Sequence, residues 1–362
     1  MKCRGTICGI CPHMRAAGLR KAVSGFAIWS ASALMLASVL SGCRKDLCYD
    51  HDHWKVRVLT DWELAWERDY GRDWADAWTA PAGYSYASLQ PDPGTGLGAM
   101  VYKPDGRVTE RHIKTYGDVL PVGEGRHSIL FYNDDTEYIL FSSMDSWAEA
   151  SATTRTRTRS TYSQNHSRES TVNSPDMLFG SWLEALTVAG SPDATPADLT
   201  VTMRPLVYKY LIVYRFDKGI EYVKQARGAM AGMARSVFLR DGRTGPEKVT
   251  VLFDEARIDT KRSEVSVIVN TFGVPDYPDK YYQGRQTRNE PDVFGLNLEV
   301  MLPDGSMKTF EFDISSQMVD QPRGGVITVG GLTVDKGEFG QGGMFDVTVD
   351  GWGDYEDIIL PV

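Results

Sequence analysis

From residue 54 onward, short apolar–polar alternations separated by turn residues predict a chain made of strands. Lys55-Val56-Arg57-Val58-Leu59 is the first. Met100, Tyr102 and then Val108 to Thr115 flank Lys103-Pro104-Asp105-Gly106-Arg107. Proline presets φ and glycine supplies a positive φ, so this segment predicts a hairpin. His127 to Tyr132 and Tyr138 to Phe141 flank Asn133-Asp134-Asp135-Thr136, a second hairpin signal. Further strands are predicted over Leu206 to Phe216, Ile220 to Val223, Val249 to Phe253, Val265 to Val269, Val293 to Leu302, Lys308 to Ile314 and Phe345 to Val349. Leu302-Pro303-Asp304-Gly305-Ser306 repeats the first turn, with an apolar strand entering and a polar-alternating strand leaving. That echo predicts two copies of a related β-sandwich.

Helical periodicity is scarce. Glu221 to Leu239 has the length of a helix, but Gly228 and Gly232 interrupt it, each costing about 1 kcal/mol relative to alanine. Trp62 with Trp66, and Trp74 with Trp78, stand four apart, a spacing that permits a short amphipathic helix within 61–78. Thr153 to Ser160 alternates Thr and Arg without an apolar face and reads as an exposed edge strand protected by charge. Tyr162 to Pro175 reads as a loop. Gly190-Ser191-Pro192-Asp193-Ala194-Thr195-Pro196 has a linker's composition, which divides the chain into an N-terminal sandwich at 54–190 and a C-terminal one at 197–362. The apolar run Ile358-Ile359-Leu360-Pro361-Val362 is expected to complete a sheet, its own or a neighbour's.

The amino terminus reads differently. Arg15, Arg20 and Lys21 precede the apolar stretch Ala22 to Leu40, which ends in Leu40-Ser41-Gly42-Cys43. A transmembrane helix and an ordinary secretory signal are the competing readings. Serines dilute the stretch, and small residues immediately before a cysteine are what a lipoprotein peptidase needs. Residues 1–42 therefore read as a lipoprotein signal peptide, Cys43 as the lipidation site, and 43–53 as a polar tether. Cys3, Cys8, Cys11 and His13 resemble zinc ligands by spacing, yet they precede the segment expected to be removed. Met14 opens a more usual signal, so the start codon is open between Met1 and Met14.

Composition adds limits. With 42% apolar and 24% charged residues among 362, the chain is globular and long enough to bury about 75% of its unfolded surface. The net charge of -9 becomes 34 minus 48, or -14, once the five cations of residues 1–42 are gone. That balance argues against nucleic acid, which needs clustered Lys and Arg, and leaves lipid on Cys43 as the membrane attachment. Cys43 and Cys48 alone remain after cleavage, and with Cys43 lipidated the single free thiol excludes an internal disulfide framework.

Catalytic motifs are missing: there is no Gly-x-Ser-x-Gly, no His-Glu-x-x-His and no phosphate-binding loop. No enzymatic activity and no cofactor are expected. Asp50-His51-Asp52-His53 is the densest set of metal-ligand types, with His51 and His53 the weak candidates on one side of an extended segment. A solvated tether accounts for them better. Trp62, Trp66, Trp74 and Trp78 are candidates for stacking on sugar rings, against the plainer reading that they cap or fill a core.

Certain stretches resemble a known family. They are Cys43-Arg44-Lys45-Asp46-Leu47-Cys48-Tyr49-Asp50-His51-Asp52-His53 with the following Val-Arg-Val strand and Asp61-Trp62; Leu130-Phe131-Tyr132-Asn133-Asp134-Asp135-Thr136-Glu137; Ile139-Leu140-Phe141; and Ala152-Thr153-Thr154-Arg155-Thr156-Arg157. Gly232-Met233-Ala234 ahead of Leu239-Arg240-Asp241-Gly242 continues the likeness. The family is that of Bacteroidetes fimbrillin-like lipoproteins, built on a domain of unknown function. The resemblance implies an all-β chain of two tandem transthyretin-like sandwiches, lipid-anchored in the outer membrane at the cell surface. It further implies a fimbrial anchor, accessory subunit or adhesin that meets fimbrial subunits by strand addition. The alternative from another class is a surface glycan-binding or glycan-processing lipoprotein, which glycan-array binding lost on Trp74→Ala would favour.

Overall fold

Alternating burial follows the alternating sequence: in the first strand Val56 and Val58 turn inward while Lys55 and Arg57 face solvent. The computed structural model describes residues 54–68, 75, 78–158, 169–190, 195–278, 293–338 and 356–357. The strands are β1 (Trp54–Trp62), β2 (Leu97–Tyr102), β3 (Val108–Ile113), β4 (Tyr116–Val122) and β5 (Gly125–Tyr132). Then come β6 (Ile139–Ser142), β7 (Ser151–Thr154), β8 (Arg157–Thr158), β9 (Thr171–Asn173), β10 (Phe179–Val188) and β11 (Ala197–Pro205). The next group is β12 (Tyr208–Lys218), β13 (Gln225–Ala234), β14 (Ser236–Phe238), β15 (Lys248–Phe253), β16 (Arg257–Asp259) and β17 (Glu264–Thr271). The last are β18 (Gly295–Met301), β19 (Met307–Asp313), β20 (Gly325–Thr333) and β21 (Glu356–Asp357), with a four-residue helix α1 (Ser315–Met318) before β20.

Seven strands in the order β3-β2-β5-β10-β11-β1-β4 build the first sandwich. β10 and β11 pair only through Phe179–Pro205 and Gly180–Arg204, so the sheet turns a corner there. The layers on either side enclose a core of Val58, Leu97, Val101, Leu120, Ile129, Phe131, Phe179 and Met203. The second sandwich sets β16-β17-β12-β20 against β19-β18-β13-β15-β9. Tyr210, Ile212, Met230, Val251, Val267, Leu298 and Ile327 fill it. Each such side chain contributes about 1.5–3 kcal/mol by leaving water. A third sheet, β14-β7-β6, covers the outer face of β5, and Leu130, Tyr132, Ala152, Val237 and Phe272 pack between.

The two Pro-Asp-Gly hairpins form as expected, β2–β3 and β18–β19, with Gly106 and Gly305 both at φ +81°. Residues 225–234 are a strand, β13, not a helix. A Cβ on Gly228 would lie 2.0 Å from the Asn297 carbonyl and 2.5 Å from the Phe253 ring, so only glycine fits there.

Several expectations are corrected. The segment 190–196 joins β10 to β11 inside the first sandwich, where β11 runs parallel to β1 through seven register pairs. The first sandwich therefore ends at Pro205, not 190. β9, from the first half, pairs with β15 of the second sandwich. β5 and β6 do not form a hairpin, because β5 lies between β2 and β10 while β6 joins β7. Within 153–160, β7 is a central strand with Thr154 buried, and Arg157 is buried against Asp254 at 2.6 Å, so this is no exposed edge. Residues Ile220–Tyr222 make a 3₁₀ turn in place of a strand. Trp62 ends β1 and Trp66 sits in a bend, with no helix over 61–68. Phe345 to Val349 and Ile358 to Val362 lie outside the described residues, while β21 pairs with β8.

Candidate assembly surface

Chain direction gives the first sandwich two different poles. β1 starts at Trp54, whose indole Nε1 donates to the Gly190 carbonyl at 2.9 Å. The β2–β3 hairpin tip and the β4–β5 turn meet at this same end, around Lys103, Arg107, Glu124 and His127. β1 then runs its nine residues away from that pole and delivers the tryptophan-rich segment to the second sandwich. Nine extended residues span about 30 Å.

There Trp66 is fully buried over Leu211 and Val213, on the outer face of β12. Trp78 and Tyr86 meet its ring at centroid distances of 5.6 Å each, and Trp78 Nε1 donates to the Tyr84 carbonyl. Backbone bonds complete the joint: Lys209 N–H donates to Trp66 O, and Arg68 N–H to Arg323 O at 2.9 Å. The Arg323 guanidinium lies between two rings, 4.3 Å from that of Tyr277 and 5.3 Å from that of Tyr208. Burial, with Arg68 alongside as the second cause, brings the Arg323 guanidinium down to about 10.

These contacts decide the tryptophan candidates. Trp66 has no free face for a sugar, which corrects that expectation. Trp62 is half-buried edge-on against Phe179 at 5.1 Å, and Trp78 is half-buried in the same joint as Trp66. Trp74, Cys43, His51 and His53 lie outside the described residues. Among the described residues no group of His, Cys, Asp and Glu is placed to hold a metal, and no helix is long and apolar enough to cross a membrane.

The remaining candidate elements are sheet edges, whose unpaired N–H and C=O groups can take another strand. β3 carries Glu110, Arg111 and His112 outward, and His112 Nδ1 meets Asp134 at 2.5 Å. β20 is closed by side chains. Gln317 Nε2 donates to Thr328 O at 2.9 Å, its Oε1 accepts from Thr328 N–H at 3.0 Å, and Gln321 Oε1 accepts from Val326 N–H at 2.6 Å. Two amides thus occupy places a neighbouring backbone would take.

β19 is different. It pairs with β18 through seven residues and with no strand on its other side among the described residues. The bond from Ile314 N–H to Phe294 O fixes the antiparallel alternation, so Lys308, Phe310 and Phe312 bond inward and Met307, Thr309 and Glu311 turn their backbone outward. Its one cation, Lys308, is committed to Thr333 O and to Glu338. Nothing in the linear sequence distinguishes these two edges, because the glutamines and the strand they cover are joined only by folding.

Residues 90–254 match the model of the Domain of unknown function DUF5119. A Bacteroides ovatus protein provisionally named fimbrium anchoring subunit Fim4B is 24% identical over 374 residues, spanning 95% of this chain and all of that one. A crystal structure of a provisionally assigned adhesin from Bacteroides ovatus shares the fold at a TM-score of 0.53 and 19% identity, covering 81% of this chain and 99% of that one. The fimbrial anchor protein Mfa2 from Porphyromonas gingivalis superposes at a TM-score of 0.40 and 10% identity, over 77% of this chain and 90% of that one.

Proposed function

We propose that the chain is a non-enzymatic fimbrial anchor or accessory subunit at the cell surface, held in the outer membrane by lipid on Cys43. The observation that carries this reading is the end-to-end match to the fimbrium-anchoring relative, which runs through both sandwiches and not a single module. The geometry suits it. Strand β1 starts at one pole of the first sandwich, and β19, an edge among the described residues, belongs to the second sandwich, beyond the far end of β1. A partner subunit would add a strand alongside Met307–Asp313, bonding to the outward N–H and C=O groups there.

Deleting the gene in its own fimbriated host should release filaments into the medium, and Cys43→Ala should do the same while leaving the protein soluble. Filaments that stay on the deleted cells would overturn the anchoring role. Thr309→Pro with Glu311→Pro removes two outward N–H groups without touching the bonds to β18. Loss of filament attachment with unchanged melting would support β19 as the acceptor edge, and normal attachment would reject it.

A further inference from the structure

Beside β19, on the outer face of the same five-stranded sheet, lies a cavity of about 270 Å³. Register sets its construction. Ala231, Gly295 and Asp313 stand in one row across β13, β18 and β19, and Ala229, Asn297 and Glu311 in the next. Small side chains leave a floor close to the backbone, while the two carboxylates form the wall on the edge strand. The following row closes one end with the buried pair of Arg227 Nε and Glu299 Oε2 at 2.7 Å, whose charges cancel.

Asn297 makes this more than a dent. It is 4% exposed, and neither its amide nitrogen nor its amide oxygen has a hydrogen-bond partner. An unmade bond at a buried polar atom costs about 1–3 kcal/mol, and Asn297 carries two such atoms. A valine or leucine at this strand position would avoid the cost. The side chain lines the cavity, so a molecule seated there would meet one donor and one acceptor ready to be used.

We infer that this cavity is a binding site for a lysine-bearing extended peptide segment of a partner protein. The Asn297 carbonyl accepts from the ammonium, and its NH₂ donates to a carbonyl of the same segment. Glu311 and Asp313 set the sign of the charge, and the Ser315 hydroxyl and N–H, bonded to Asp313 Oδ1 at 2.5 and 2.9 Å, keep that carboxylate low in pKa and ionised. The volume lies below the usual range for drug-sized ligands, about 300–1,000 Å³, and suits one long side chain with its own peptide group. Phe294 and Phe312 sit with their rings in the core, so no aromatic face is offered to a sugar. The site is independent of any fimbrial role.

The test is a fluorescence-anisotropy titration of the full chain in detergent with labelled acetyl-Thr-Lys-Thr-Lys-Thr-amide and its Glu counterpart. The lysine peptide should bind and the glutamate peptide should not. Asn297→Leu should weaken binding about tenfold, as expected for two lost hydrogen bonds, while melting stays level or rises because the orphaned amide is gone. Ala231→Leu, which fills the trough from its half-exposed side, should block binding as well. Equal binding of both peptides, no binding of either, or undiminished binding by both variants would overturn the proposal.

Discussion

Along β20, the side-chain amides of Gln317 and Gln321 take up the N–H groups of Val326 and Thr328 and the carbonyl of Thr328. Along β19, the outward backbone of Met307, Thr309 and Glu311 meets no strand among the described residues, and its one cation is already paired. Both strands are margins of the same sandwich, one from each sheet. The difference teaches that edge protection among the described residues is selective. A helix of only four residues, carrying Gln317, and the turn after it, which places Gln321, supply the cover over the β20 edge.

The largest break comes from beneath β19. Its neighbour β18 carries Glu299, buried against Arg227, and removing one partner strands the other charge. Glu299→Ala should cost about 3–5 kcal/mol in chemical denaturation, destabilising the sheet that bears the open edge while the other sheet of the sandwich keeps its own ladder. A change below about 1 kcal/mol would mean the pair is not buried in solution. Next, Gln317→Ala with Gln321→Ala should cost about 2–3 kcal/mol, roughly one per bond lost. It should also convert β20 into an open edge, seen as new dimers by light scattering. Stable monomers would show that the glutamines do not guard the strand.

The smallest effect sharpens the contrast at Lys308. Its hydrogen bond is the first cause holding the Glu338 carboxyl below the usual 4.5, with the Asp335 backbone N–H next and the Lys308 charge a lesser cause. A carboxylate with a lowered folded-state pKa adds stability above its unfolded pKa and loses it as pH falls through the folded value. The melting difference between the native chain and Lys308→Ala should therefore be largest at neutral pH and shrink in acid, leaving only what the bond to Thr333 O contributes. A difference undiminished at pH values where Glu338 is protonated would remove the Glu338 pair from the account.

Local chemistry was the legible part of this fold. Both Pro-Asp-Gly hairpins follow from residues that sit within the turns themselves, and Gly228 and Gly232 argue locally against a helix where β13 forms, although they do not predict the strand. Asn133-Asp134-Asp135-Thr136 reads as a turn for the same local reasons, but its side chains are spent at a distance. The Asn133 amide binds Met177 O and Phe179 N–H, and Asp135 binds Thr95. The Thr-Arg run looks like a solvated edge until Asp254, 97 positions away, claims Arg157. A Pro/Ser/Thr stretch has the same composition whether it joins two domains or two strands of one sheet. Of the tryptophans, the core-capping alternative describes Trp66. Asn297 and the two glutamines gave no signal, since an unpaired amide and a covered edge exist only after β13, β18, β19 and β20 have assembled.

The direction of β1 has a mechanical consequence. A pull applied through the residues ahead of Trp54, resisted at the joint around Trp66, loads β1 along its own axis. Its seven pairs with β11 and its ladder with β4 lie across that axis. The load is then shared as shear by all the rungs at once, whereas a strand peeled from one end would give them up singly. A chain threaded this way passes force from one pole to the other through a strand paired on both sides, without levering the sandwich open.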